Sequence, residues 1–248
     1  MTDISSKIGC RSLKISPYGE HLATGDRIGI IRVYDLKTFE IISNLEVHNG
    51  EILDLDYSQP DLSGKLLMAS ASRDRTIQIF NVKDNNYELI QTLEDHSAVI
   101  NSVKFCLDHI EQQLNIISCG FDKSLMVRSV AVSATTSRLN NSVTNPKHFV
   151  RTQFIVEKQS FYDLLIEPFN NFIYTISQDR MVRTYSVKDG KKVKAFKGSL
   201  NEDGYLVKMT IDVNGELLAT SSSDKQVYLW DLNSNECIAY IYGHSEVS

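Results

Sequence analysis

Apolar and polar residues alternate along this chain in short runs, each bounded by turn residues. Ile52-Leu53-Asp54-Leu55-Asp56-Tyr57, Thr76 to Val82, Leu206 to Ile211 and Gln226 to Leu232 all read this way. A period of two marks a half-buried strand, whereas no long stretch carries the three-to-four spacing of an amphipathic helix. Turns such as Pro17-Tyr18-Gly19 and Val213-Asn214-Gly215 supply the residues that tight reversals require. The pattern predicts an all-β chain.

The strands repeat. Ser72-Arg73-Asp74-Arg75-Thr76-Ile77-Gln78-Ile79-Phe80-Asn81 is matched by Phe121 to Val127, Gln178 to Ser186 and Ser223 to Asp231, and more weakly by Arg27 to Asp35. Aligned on positions 28, 74, 122, 179 and 224, the copies lie 46, 48, 57 and 45 residues apart. Four positions before each anchor stand Thr24, Ser70, Ser118, Thr175 and Thr220; six after it stand Tyr34, Phe80, Arg128, Tyr185 and Trp230. His48 and His96 each precede their anchors, Asp74 and Asp122, by 26 residues. Five small hydroxyls in one register identify a structural repeat.

Each copy reads as four strands. In the second they run Ile52 to Tyr57, Leu66 to Ser70, Thr76 to Val82 and Glu88 to Leu93; in the fifth, Leu206 to Ile211, Glu216 to Thr220, Gln226 to Leu232 and Glu236 to Tyr242. The units cover approximately 9–47, 48–95, 96–157, 158–200 and 201–243 of one segment spanning 1–248. A four-stranded sheet cannot bury both its faces alone, but sheets stacked around an axis can. The expected fold is therefore a β-propeller with five four-stranded blades. One stretch, 133–146, is polar and low in complexity and accounts for the 57-residue spacing. It is expected as a loop between the third and fourth strands of the third unit, on the face opposite the anchors, with hydroxyls open to phosphorylation.

Trp230-Asp231, the degenerate Tyr34-Asp35, Phe80-Asn81 and Tyr185-Ser186, and the upstream Asp95-His96 and Gly243-His244 resemble the WD-repeat family. That resemblance implies a buried hydrogen-bonded network in each blade. Carried onto this chain it assigns His48, Ser70 and Asp74 to the second unit, with Phe80 at the tryptophan position. It assigns His96, Ser118 and Asp122 to the third, with Arg128 at that position. Thr175 and Asp179 fall in the fourth, and Thr220, Asp224 and Trp230 in the fifth. Phe80 has no donor, so its network is expected to end at Ser70. The family usually forms seven blades, so five are expected as an open arc of an incomplete ring, the alternative being five blades that close more tightly than usual; residues 244–248 open a next repeat.

A serine-hydrolase triad is the competing use of His96, Ser118 and Asp122. The same residue types recur 48 positions earlier, as scaffold residues would, and the sequence holds no G-x-S-x-G, H-E-x-x-H or phosphate-binding loop. The expectation is a non-catalytic protein with no catalytic residues, metal or cofactor. Function then falls to exposed loops. In the family, the residue before the turn aspartate faces partners, which selects Arg27, Arg73, Phe121, Gln178 and Ser223. A cationic series after the anchors, Arg75, Lys123, Arg180 and Lys225, adds a surface for an acidic partner.

Ser70 to Arg75, Ile117 to Ser124, Tyr162-Asp163-Leu164 with Glu167-Pro168, and Phe196 to Ser199 followed by Glu202-Asp203-Gly204 are similar to one subgroup. It is the tandem-propeller subgroup of mitogen-activated-protein-kinase-binding proteins and WD-repeat protein sixty-two, and the likeness is to its second propeller. This resemblance implies a scaffold for kinase-pathway and spindle or centrosome partners, in the cytoplasm and on the cytoskeleton. The alternative is a WD-repeat subunit of a ribonucleoprotein or ubiquitin-ligase complex.

Composition narrows these readings. With 26 Lys+Arg against 31 Asp+Glu the net charge is −5, so nucleic acid is not the expected partner. No apolar run is long enough to span a membrane, and no apolar signal core follows Met1. Cys10, Cys106, Cys119 and Cys237 show no metal-binding spacing and are expected as free, buried thiols.

Overall fold

The computed structural model describes residues 9–60, 64–108, 113–131, 148–200 and 205–242. The polar insertion at 133–146 and residues 244–248 lie outside them. Twenty strands form five four-stranded antiparallel sheets, and the described residues contain no helix. The first sheet comprises β1–β4 (Cys10–Ile15, His21–Asp26, Ile30–Asp35, Ile41–Glu46), and the second β5–β8 (Ile52–Tyr57, Leu66–Ser72, Ile77–Lys83, Asn86–Leu93). The third comprises β9–β12 (Ile100–Asp108, Gln113–Gly120, Ser124–Ala131, Val150–Val156). The fourth comprises β13–β16 (Phe161–Ile166, Phe172–Ser177, Met181–Ser186, Lys192–Lys197), and the fifth β17–β20 (Leu206–Ile211, Leu217–Ser222, Gln226–Asp231, Glu236–Tyr242). Each sheet is a meander in chain order, with its first strand innermost.

Four apolar layers hold the five sheets together. Ile31, Val33, Leu55, Met68 and Phe80 fill the first interface; Ile77, Ile79, Ile100, Val103 and Ile116 fill the second. Ile117, Leu125, Val127, Leu164 and Tyr185 fill the third, and Tyr174, Ile176, Leu206, Tyr228 and Trp230 the fourth. The strand β6 is buried along its whole length because sheets cover both its faces, which is why Leu66-Leu67-Met68-Ala69 does not alternate.

The arrangement is that of a β-propeller. No apolar cluster among the described residues joins the first sheet to the fifth. Leu13, Ile15 and Ile41 on one, and Val207 and Ile241 on the other, stand exposed. The sequence dipeptide at the end of the third strand has a local cause. The Asp35 carboxylate accepts from the Lys37 and Thr38 amides at 2.6 and 2.9 Å, and that of Asp231 from the Asn233 and Ser234 amides at 2.7 and 3.3 Å. Both aspartates thereby close the turn into the fourth strand.

The cysteines are all free, but only Cys106 and Cys119 are buried, which corrects the expectation of four buried thiols. Cys10 sits on an uncovered inner strand and is exposed. Burial pushes the Cys106 thiol up to about 12 and that of Cys119 well above its ordinary value, so neither is a nucleophile.

Candidate functional site

The turns between second and third strands, and the links from each fourth strand to the next unit, share one end of the propeller, here termed the top face. Beneath it lie the predicted networks. In the second unit His48 Nδ1 meets Asp74 Oδ2 at 2.9 Å and Nε2 meets Ser70 Oγ at 2.7 Å. Asp74 also accepts from the Asn49 amide and the Thr76 hydroxyl. The third unit repeats this with His96, Asp122 and Ser118 at 2.8 Å for both ring nitrogens. A carboxylate facing Nδ1 requires that nitrogen to donate, so Nε2 accepts the serine proton. Both serines are completely buried, and no substrate can reach their oxygens.

The tryptophan position sets how far each network extends. Phe80 gives Ser70 no donor. Arg128, 1% exposed in its side chain, donates Nη1 to Ser118 at 3.0 Å and Nε to Asp95 at 3.1 Å. Trp230 Nε1 donates to Thr220 Oγ1 at 3.0 Å, which in turn donates to the Gly198 carbonyl at 2.7 Å.

The fourth and fifth units carry Gln153 and Gly198 where a histidine would stand 26 residues before the anchor, and their third strand compensates. Four positions after the anchors come Arg32, Gln78, Met126, Arg183 and Tyr228, each paired across the sheet with the hydroxyl residue of the repeat register: Thr24, Ser70, Ser118, Thr175 and Thr220. Where the histidine is present, Gln78 and Met126 leave the acid alone. Where it is absent, this residue reaches the acid: Arg183 Nη1 donates to Asp179 at 3.0 Å and Tyr228 Oη to Asp224 at 2.6 Å. In the first unit the acid is Asp26, two residues before the expected anchor Ile28. It takes Arg32 Nη1 at 2.7 Å and the amides of Ile28 and Ile30. Sequence reasoning passed over Asp26, Arg32, Arg183 and Tyr228; the four-residue offset from the anchors marks the last three, whereas Asp26 lies six before Arg32 and two before its anchor position.

Burial would raise these carboxyls, but hydrogen bonds overcome it. Those from His96 and Ser124 hold Asp122 down at about 2, and those from Arg183 and Ser177 do the same for Asp179. Asp74 is lowered through His48 and Thr76. An acid whose folded value lies below its unfolded value contributes stability above the latter. The unfolding midpoint in urea is therefore expected to hold down to about pH 4 and to fall as the pH drops towards about 2. At neutral pH, Asp74→Ala is expected to cost about 1–3 kcal/mol, read as a lower melting midpoint, because it strands His48 and Thr76.

The inner strands carry a second network, between blades. Asp56 on β5 takes Lys14 of β1 at 2.8 Å and the Phe105 amide of β9 at 2.7 Å. Asp54 takes the Ser102 hydroxyl at 2.6 Å, the Val103 amide at 3.0 Å and the Lys104 ammonium. Asp163 on β13 takes Lys208 of β17 at 2.8 Å and the Met209 amide at 3.2 Å. Basic and acidic strands thus alternate from β1 to β17. Burial would raise Asp54, but the Lys104 and Lys208 charges bring it below its ordinary value; at Asp163 burial prevails and the carboxyl is raised.

The predicted partner residues lie on the top turns. Arg75, Lys123, Arg180 and Lys225 all adopt left-handed backbone, at φ 73, 64, 66 and 70. The first unit has Gly29 there, where a Cβ would stand 2.1 Å from the His48 carbonyl oxygen. A long cationic chain at a position that favours glycine occurs four times. Arg27 and Arg73 share Glu51, at 3.7 and 3.1 Å, while Arg75 and Lys123 make no ion pair among the described residues. Phe121 packs edge-on to Tyr162, with centroids 5.8 Å apart. Gln178 and Ser223 occupy the same turn position in the fourth and fifth units, where their amides bond the Ser160 and Tyr205 carbonyls. The structure does not draw these turns into one pocket: of the predicted residues, only Phe121 lines the cavity at the centre of the top face.

The family described as "WD domain, G-beta repeat" matches residues 39–81, 87–129 and 190–231, more than half of the chain. WD repeat-containing protein 62 of Mus musculus is 41% identical over 246 residues, covering 99% of this chain and 15% of that protein. Mitogen-activated protein kinase-binding protein 1 of Homo sapiens is 41% identical over 244 residues, covering 98% of this chain and 15% of that protein. This chain therefore spans only about a seventh of those relatives' length. A chain in the crystal structure of the mitotic checkpoint complex superposes with a TM-score of 0.76 at 16% identity, covering 98% of this chain and 67% of that one; this likeness concerns the fold alone. Five meandering four-stranded sheets, the buried His–Ser–Asp networks of the second and third, and the matched repeats together place this chain in the WD-repeat family.

Proposed function

We propose that this chain is a non-catalytic protein-interaction platform that carries partners on its top face, within a kinase-signalling scaffold acting in the cytoplasm and at the centrosome or spindle. The observation that supports it most is the division of labour in each turn. The acid points inward to hold the blade, while the next residue, a cation in four of five blades, is held on the exposed turn. Rigid strands with varied polar turns form a surface for recognising proteins. The signalling part of the reading is supported by one relative's name, a mitogen-activated protein kinase-binding protein.

Affinity capture with cross-linking mass spectrometry tests the platform. Arg75→Glu with Lys123→Glu is expected to lose most partners recovered by the unaltered chain, because reversing two unpaired rim charges repels an acidic surface. An unchanged set of partners would overturn top-face binding. Recovery of RNA in place of proteins, with binding that collapses as salt rises, would point to the ribonucleoprotein alternative.

A further inference from the structure

The five inner strands converge on a cavity of about 480 Å³ in the top face, whose lining includes Arg11, Leu53, Phe121, Tyr162, Tyr205 and Lys208. Phe121 is 43% exposed and Tyr205 56%, so two large rings face water around a concave site. Solvent-facing rings gathered at a concavity with a few polar groups are the usual composition of a recognition site.

Its charge follows from the network below. The wall residues Lys14, Asp54, Asp56, Lys104, Asp163 and Lys208 comprise three bases and three acids, mutually paired, and cancel. Lys208 is held by Asp163, which leaves Arg11 as a cation at the mouth that makes no ion pair among the described residues. Outside it, Arg75 and Lys123 add two more such cations, and Arg27 and Arg73 share the single carboxylate of Glu51. The mouth is thus basic on a chain of net charge −5.

We propose that this mouth binds a short acidic peptide of a partner protein. The peptide inserts one aromatic side chain among Phe121, Tyr162 and Tyr205 and sets a neighbouring carboxylate on Arg11. The proposal rests on the top face being the partner face. Peptide fits better than single-stranded RNA because Phe121 and Tyr162 are locked edge to face, which offers no parallel platform for stacking bases.

The probe is a blocked hexapeptide, Ser-Glu-Glu-Phe-Glu-Ser, titrated into the full chain and followed by amide and aromatic NMR shifts. We expect shifts centred on Arg11, Phe121, Tyr162 and Tyr205. Binding should weaken about tenfold on Arg11→Glu, and about tenfold when the peptide's phenylalanine becomes alanine. Phe121→Ala, at an exposed ring, should weaken it similarly with an unchanged melting midpoint. The proposal is overturned if no shifts appear at millimolar peptide, or if they map elsewhere. It is equally overturned if Arg11→Glu binds as well, or if a peptide with lysine for glutamate or a ten-residue oligouridylate binds as tightly. If capture of partners responds to Arg75→Glu with Lys123→Glu but not to Arg11→Glu or Phe121→Ala, top-face binding stands and the mouth proposal fails.

Discussion

Asp54→Ala is expected to lower the unfolding free energy by about 3–5 kcal/mol. Its side chain is 13% exposed and that of Lys104 is 21% exposed, so removing the acid takes from a largely buried ammonium its only directly paired carboxylate, leaving Asp56 and Asp163 to act at longer range. The Ser102 hydroxyl and the Val103 amide lose their acceptor at the same time. All three donors belong to the third blade and the acid to the second, so the loss falls on the joint between blades. Urea unfolding of the single variant and of Asp54→Leu with Lys104→Leu separates the causes. The double variant is expected to recover most of the loss, because an apolar pair removes the unpaired charge along with its partner. A single-variant loss below about 1 kcal/mol would show the pair to be a solvated surface contact.

The second large effect is expected at Arg128. Arg128→Ala is expected to cost about 3–4 kcal/mol, from the cavity left by a fully buried side chain and from the loss of a charged donor to Ser118 Oγ, which keeps only its bond to His96. Arg128→Trp should cost about 1–2 kcal/mol, since an indole at this register can donate to Ser118 as Trp230 does to Thr220. Arg128→Phe should fall between them, filling the space without the donor, as Phe80 does in the second blade. Thermal or urea midpoints give the order directly. An order in which Phe equals Trp would mean that the donor to Ser118 contributes nothing.

Much of this architecture was legible in one sequence because the repeat supplied its own controls. Five hydroxyl residues in one register, with apolar alternation on either side, give the sheets and their facing directions. Leu206–Ile211, Ile52–Tyr57 and Glu236–Tyr242 coincide with the strands as read, while β18 runs two residues past Thr220 because Ser222 still pairs with Leu206. The His–Ser–Asp spacing was visible for the same reason: strand register places residues 22 and 26 positions apart against one another. The substitution of Arg183 and Tyr228 for the missing histidines was also present, at a fixed offset of four. It escaped a reading that looked for histidine and not for any donor able to reach the acid.

The wall network was of another kind. Lys14, Asp54, Lys104, Asp163 and Lys208 look like ordinary solvated positions on alternating strands. Their pairing depends on which blade stands beside which, and at what height, and no local pattern encodes that. The same holds for the mouth cavity: Arg11, Phe121 and Tyr205 belong to three units and share a site only because the inner strands converge.

The sequence by itself determined the all-β class, the five four-stranded units, the networks of the second and third blades and the exposed turns. Each of these follows from interactions within a repeat or between adjacent strands, where chain connectivity fixes the partners. Only the tertiary structure decided the alternating charges of the inner wall and the basic, aromatic mouth. These arise where separate sheets meet, and there the distance between residues is set by packing and not by their spacing along the chain.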